Sequence, residues 1–211
     1  MCTTAGSLST SYDAWQINGK IATDLKYGSI TVTPSAALIG GNTGADQNLS
    51  QTFIEFLFPR GSRTGAYSAN TALHWTDFGG RVGLDVNAPV TQALSVGIGG
   101  WVGGVDRSVS LSGSDTATST PIPIFNGASS LSSSDSKSVL LANAEVGFAY
   151  QFMPALTFRG FVGVNYDGSV PGITNPTFTG SVNAPTSATP AQIYYAQEAT
   201  YYAGGGFKFR F

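Results

Sequence analysis

The sequence predicts an all-β fold, an antiparallel up-and-down transmembrane β-barrel with seven or eight long strands in one domain over residues 1–211. Three observations predict it. Charged residues are 10% of the chain, far below the ~25% of ordinary soluble domains, while 42% hydrophobic and 12% aromatic content exceeds what disordered chains carry. Hydrophobicity alternates with a period of two over segments longer than a usual half-buried strand. Finally, tight connections alternate with long polar ones.

The first strand, 11–27, sets Trp15, Ile17, Ile21, Leu25 and Tyr27 against Gln16, Asn18, Lys20, Asp24 and Lys26. The segment 1–10 precedes it. The second, 29–41, opposes Ile30, Val32, Ala36 and Leu38 to Thr31, Thr33 and Ser35, and the third, 71–87, opposes Phe78, Val82, Leu84 and Val86 to Asp77, Arg81, Asp85 and Asn87. In 93–104 Leu94, Val96, Ile98 and Val102 face away from Ser95 and Trp101. In 137–152 the apolar set runs from Leu140 to Phe152 against Lys137, Asn143, Glu145 and Gln151. In 155–168 Leu156, Phe158, Val162, Val164 and Tyr166 oppose Thr157, Arg159, Asn165 and Asp167. The last, 193–211, places Ile193, Tyr195, Ala199, Tyr201, Phe207, Phe209 and Phe211 opposite Glu198, Thr200, Lys208 and Arg210. Within these segments only Asp13 shares a face with apolar residues, as expected of strands with one face in lipid or a dry core.

Tight connections fall at Tyr27-Gly28, at 87–92 and at Met153-Pro154, each followed by a similar tetrad beginning at Ser29, Ala93 and Ala155. This spacing of 64 and 62 residues marks a hairpin repeat. The segments 42–70, 113–136 and 169–192, rich in Ser, Thr, Asn, Gly and Pro, are expected to be long outer loops. Residues 51–59 either supply an eighth strand or belong to the first of these loops. Backbone groups in a bilayer need internal partners, so the sheet is expected to close.

Several classes are excluded. Ten Lys+Arg against twelve Asp+Glu lack the basic excess of a nucleic-acid binder. One cysteine, Cys2, makes no internal disulfide, and no paired Cys or His offers a metal framework, so neither metal nor cofactor is expected. No run of ~18 apolar residues forms a transmembrane helix, and Met1 to Thr10 holds no signal-peptide core, so the leader is expected to be absent or removed.

The ending Tyr201-Tyr202-Ala203-Gly204-Gly205-Gly206-Phe207-Lys208-Phe209-Arg210-Phe211 resembles the terminal strand of a Gram-negative outer-membrane β-barrel. That resemblance implies outer-membrane lipid around the wall, a periplasmic C-terminus, and an assembly signal at Phe207, Phe209 and Phe211 read by the barrel-assembly machinery. Tyr12 to Leu25 and Leu25 to Ser35 are similar to hairpins of autotransporter-type translocator barrels, which implies a porin-like or surface-anchoring role and a secreted passenger or surface ligand as partner. Such translocators have twelve strands and a passenger, so a C-terminal portion or shortened relative is expected.

The enclosed face carries a balanced charge set: Lys20, Lys26, Arg81, Arg159, Lys208 and Arg210 with Asp24, Asp77, Asp85, Glu145, Asp167 and Glu198. Balance suggests ion pairs across the lumen; in about eight strands they fill it, and in a larger barrel they line a wet pore. Tyr12, Trp15, Tyr27, Tyr150, Phe152, Tyr166, Tyr195, Phe209 and Phe211 are expected to form interface belts. His74 is the single histidine and lies on the opposite strand face from Asp77, against triad chemistry. A non-enzymatic wall is the expectation; an outer-membrane enzyme acting at the loop side and a soluble ligand-binding β-barrel are the alternatives.

Overall fold

The computed structural model describes residues 2–57, 61–120, 127–174, 177–179, 187–189 and 191–209. All regular structure among them is β. The strands are β1 (Cys2–Ala22), β2 (Leu25–Tyr27), β3 (Ile30–Leu57), β4 (Gly61–Pro89), β5 (Leu94–Thr120), β6 (Gly127–Met153), β7 (Leu156–Ile173), β8 (Thr177–Thr179), β9 (Ser187–Thr189) and β10 (Ile193–Phe209). Every pairing is antiparallel between chain neighbours, in the order β1-β3-β4-β5-β6-β7-β10, with β2 continuing β1 along β3 and β8-β9 a separate small hairpin. The long strands therefore number seven.

Turn chemistry fixes one end. Gly28 takes φ +63° in the two-residue turn between Tyr27 and Ile30, a left-handed conformation that glycine adopts without a Cβ penalty. Between β4 and β5 the Thr91 hydroxyl accepts from the amides of Ala93 and Leu94, and Pro154-Ala155 turns β6 into β7. We call this the turn end and the opposite one the loop end.

The sheet curls into a half-barrel. Its inner face is identified by contacts that skip strands: Ile193 and Tyr195 of β10 pack on Leu73, Trp75, Val109 and Leu111 of β4 and β5, and Arg107 of β5 reaches Asp167 of β7.

Four expectations are corrected. The outer loops are mostly strand: 42–57 extends β3, 61–70 begins β4, 113–120 ends β5, 127–136 begins β6 and 169–173 ends β7. Thr suits a pleated backbone, and the inward positions there include Leu49, Tyr67, Ala69, Ala117 and Leu131. Residues 51–57 are neither an eighth strand nor a loop but the loop end of β3, while 58 and 59 lie outside the described residues. The segment 1–10 is strand from Cys2 onward. Closure is not made, because β1 pairs with β3 alone and β10 with β7 alone among the described residues.

Candidate functional site

The outward face of the turn-end half is a continuous apolar surface. On β4 it runs Phe78, Gly80, Val82, Leu84, Val86; on β5 from Leu94 to Gly104; on β6 from Leu140 to Tyr150; on β7 from Phe158 to Tyr166; on β10 from Tyr201 to Phe209. Each stretch spans nine to eleven residues, the length a strand tilted by about 45° needs to cross a hydrocarbon core. These side chains are exposed: Phe78 is 70%, Val82 61%, Ile98 62% and Phe207 61% accessible. No charge interrupts the band at any outward position. On the edge strand, Ile17 and Ile21 lie opposite Gly40 and Ala36 and carry the same face onto β1.

Beyond one level the two faces exchange character. Outward positions become Thr76 and His74 on β4, Asp106, Ser108 and Ser110 on β5, and Ser138, Ser136 and Ser134 on β6, residues that the ladders place side by side. Inward positions become apolar and buried, with Tyr67, Ala69, Leu73 and Trp75 on β4 and Val109, Leu111 and Ala117 on β5, while on the turn-end side of that level Val105, Val139 and Leu141 form a separate buried inward cluster against Trp101. Leu73 and Leu111 are each 1% exposed. The level passes through Trp15, Asn42, Thr76 and Ser108, which stand in register across four strands. Asp13, the one charge on the apolar face of its segment, sits opposite Gly44, hence beyond this level.

At the exchange, on the inner face, lies Arg107, 3% exposed. Its Nε and Nη2 donate to the two Asp77 oxygens at 2.7 Å each, its Nη1 and Nη2 donate to the Asp167 oxygens at 3.1 and 2.9 Å, and Nη1 also donates to the Ser169 carbonyl at 2.8 Å. Burial disfavours the charge, but hydrogen bonds and Coulombic attraction from both aspartates outweigh it, so the guanidinium is held above its ordinary pKa. The fork joins β4 and β5 to β7, drawing the sheet inward.

Of the twelve charges expected inside, Asp77 and Asp167 thus meet at Arg107, which the sequence reading omitted. Lys20 pairs with Asp85 at 3.6 Å. Arg81 stacks on Trp101, 4.5 Å from the ring centre. Glu145 accepts from the Tyr202 hydroxyl at 2.9 Å, and that oxygen accepts in turn from Asn143 at 2.8 Å. Asp24 accepts from Thr33 at the break between β1 and β2, and Glu198 accepts from Thr200. Arg159 and Lys208 line a hollow of about 720 Å³ with Asp85 and Glu145. Lys26 lies on the same face, opposite Thr31 near the turn. Arg210 and Phe211 lie outside the described residues. Three of these contacts, Lys20 to Asp85, Tyr202 to Glu145 and Arg107 to Asp167, each reach across one intervening strand, while Arg107 to Asp77 and Arg81 to Trp101 join neighbours. Phe207 and Phe209 are exposed on the outward band, and the Phe207 ring lies 5.1 Å from that of Phe158.

Two belt assignments are corrected. Tyr195 and Ile193 point inward, because a register shift between Ala196 and Glu198 flips the parity of β10. The Tyr195 hydroxyl donates to Asp135 at 2.7 Å, and Lys137 sits 4.5 Å over its ring; burial first and Asp135 second push its pKa up to about 12. Tyr12 also faces inward, its ring 6.4 Å from Trp75.

His74 is outward, with Asp46 4.0 Å from its Nε2, and a Cβ at Gly44 would fall against both its ring and Asp13. Asp77 is inward on the same strand, so the two do not meet. The Ser110 hydroxyl donates to the backbone carbonyl of His74 and not to its imidazole.

No protein-family model matches this chain, and no curated protein does. A solved structure with some similarity is the cryoEM structure of the membrane pore complex of pneumolysin at 4.5 Å, at 5% identity over 97% of this chain and 57% of that chain, with a TM-score of 0.19. A likeness that slight carries no argument.

Proposed function

We propose that this chain forms the wall of an integral β-barrel in the outer membrane of a Gram-negative bacterium, autotransporter-like and non-enzymatic, with its C-terminus periplasmic. The observation that carries the reading is the level at which both faces exchange polarity. A wall leaving lipid needs apolar outward residues below the interface and polar ones above it. A soluble barrel around an apolar ligand gains nothing from an exposed band containing Phe78, Val82, Ile98, Phe148 and Phe207.

The role favoured is anchoring and surface presentation over open conduction. Toward the loop end the enclosed space is filled by Leu73, Trp75, Val109 and Leu111 against Ile173, Ile193 and Tyr195, with Arg107 immediately below. Strand continues well past the band: β4 alone has sixteen residues from Gly61 to Thr76, roughly 50 Å of chain at ~3.3 Å per residue. Serine- and threonine-rich outward faces of that length suit contact with a surface ligand or support of a passenger. Phe207 and Phe209, on the outward face of the last strand, fit recognition by the barrel-assembly machinery.

The reading is tested by refolding into phosphatidylcholine vesicles with Trp75→Phe and Trp101→Phe, leaving Trp15 at the polarity level. Lipids brominated near the headgroup are expected to quench Trp15 more than lipids brominated near the chain ends. A chain that stays in solution without quenching sinks the reading.

A further inference from the structure

β1 and β10 each offer one unpaired edge among the described residues, 21 and 17 residues long. Proteins shield such edges with prolines, inward charges or short strands. Neither of these strands contains proline, and β1 carries only Asp13 and Lys20 as charges. Within hydrocarbon an unpaired edge is costlier still. These edges are built to be paired.

The space between them is defined. One cavity of about 520 Å³ is lined by Tyr12 and Gln16 of β1 and by Glu198 and Thr200 of β10, with Arg81 and Trp101 behind. Both edges therefore border a single gap at that height. Direction decides what fits it. The seven long strands alternate, so β1 and β10 both run from loop end to turn end. Joining them directly gives a parallel ladder, and a second copy in the same membrane orientation offers only the same direction at its edges. An antiparallel ladder on both sides needs a strand running from turn end to loop end, and one such strand makes the total even, as in single-chain bacterial barrels. On the inner side of the gap, the hydrogen bond Glu198 accepts is from the adjacent Thr200 hydroxyl, at 3.1 Å.

We propose that the gap between β1 and β10 receives one partner strand from polypeptide outside these 211 residues. It ascends from turn end to loop end, is apolar on its outward face over about nine to eleven residues, and is polar inward with a cation opposite Glu198. The outward chemistry rests on the membrane reading; the direction and the pairing rest on topology alone.

The test uses the full chain refolded in phosphatidylcholine vesicles with a synthetic eleven-residue peptide alternating leucine and threonine, one central threonine replaced by lysine. A peptide of the same composition in scrambled order is the control. Amide exchange along both β1 and β10 is expected to slow about tenfold or more with the alternating peptide only. A second variant, Cys2→Ser with Gln16→Cys and Thr200→Cys, is expected to form no disulfide, because the proposed strand would stand between the edges. Protected edges without peptide, together with that disulfide inside one chain, overturn the proposal in favour of direct closure. The same disulfide between chains overturns it in favour of a second copy. Edges that exchange freely with either peptide overturn it outright. Trp15 quenching, read on the same samples, reports insertion separately, so failure of the membrane reading is told apart from failure of the strand.

Discussion

The two halves of the same strands obey opposite rules. At the turn end, β4 sends Phe78, Val82 and Leu84 outward and Asp77, Arg81 and Asp85 inward; at the loop end the same ladder sends Asn70, His74 and Thr76 outward and Tyr67, Leu73 and Trp75 inward. Backbone geometry does not change between them. What changes is the polarity of the two faces: where the outward residues are apolar the inner face carries Asp77, Arg81, Asp85 and Glu145, and where they are polar it packs Leu73, Trp75, Val109 and Leu111. Alternation alone therefore specifies strands, and only the position of the exchange specifies where the wall would leave a bilayer.

The largest effect is expected at the seam between halves. Arg107→Met leaves the part-buried Asp77 and Asp167, 18% and 26% accessible, with no counter-ion and is expected to cost up to about 3 to 5 kcal/mol, measured by urea unfolding in lipid vesicles. Asp77→Asn and Asp167→Asn added to Arg107→Met remove the uncompensated charges and are expected to restore most of that loss. A loss of under ~1 kcal/mol for Arg107→Met alone would mean that the fork does not tie β4 and β5 to β7.

Next in size is the contrast across the polarity level. Ile98→Lys, in the middle of the outward band, is expected to cost about 2 to 4 kcal/mol of folding into vesicles. Ser110→Lys, on the same strand and the same outward face, is expected to stay within about 0.5 kcal/mol of the parent. Equal costs at the two positions would erase the distinction between the halves.

How much of this was legible in the residues follows from the same contrast. The period of two and the segregation of Asp77, Arg81 and Asp85 from Phe78, Val82 and Leu84 announce strands without any coordinates. The continuation beyond Thr71, Gly104 and Lys137 was hidden because the apolar residues have changed faces by then: a pattern of Ser and Thr with scattered Leu and Val reads as a polar loop. Arg107 was missed for that reason. It sits between Val105 and Val109 in a stretch that no longer looked amphipathic, and a lone arginine in a serine-rich segment suggests a solvated charge. A strict parity count in steps of two from Trp101 would have placed it inside. Tyr195 was misplaced by the shift between Ala196 and Glu198, which no local pattern signals. Whether β1 and β10 pair is a long-range property that alternation within single strands does not encode.

A smaller effect separates the dry interior from the wet one by pH. The Tyr195 phenol has its pKa raised from 10.0 to about 12, so the folded state favours the neutral form. Its contribution is fully present below pH 10 and is lost as pH rises through the folded value. Loop-end stability is expected to fall between pH 10 and about 12, and Tyr195→Phe is expected to flatten that slope while costing about 1 kcal/mol at neutral pH for the lost hydrogen bond to Asp135. Amide exchange at Ile173 and Ile193 reads it locally. An unchanged slope in Tyr195→Phe would assign the alkaline loss to another group.

The smallest expected effect lies in the turn-end interior, where Lys20 and Asp85 pair at 3.6 Å with about half of each side chain accessible. Such a pair gains little Coulomb energy against the entropy of ordering two side chains, so Lys20→Met is expected to cost about 0.2 to 1 kcal/mol. Salt at ~1 M, where screening reaches within about 3 Å, is expected to abolish the difference between parent and variant. The Arg107 fork, also ionic but buried, is expected to keep its full effect in the same salt. Two ion pairs in one strand system thus report opposite dielectric surroundings. If Lys20→Met proved as costly and as salt-insensitive as Arg107→Met, the turn-end lumen would be dry, and the space lined by Asp85, Glu145, Arg159 and Lys208 would have to be filled rather than hydrated.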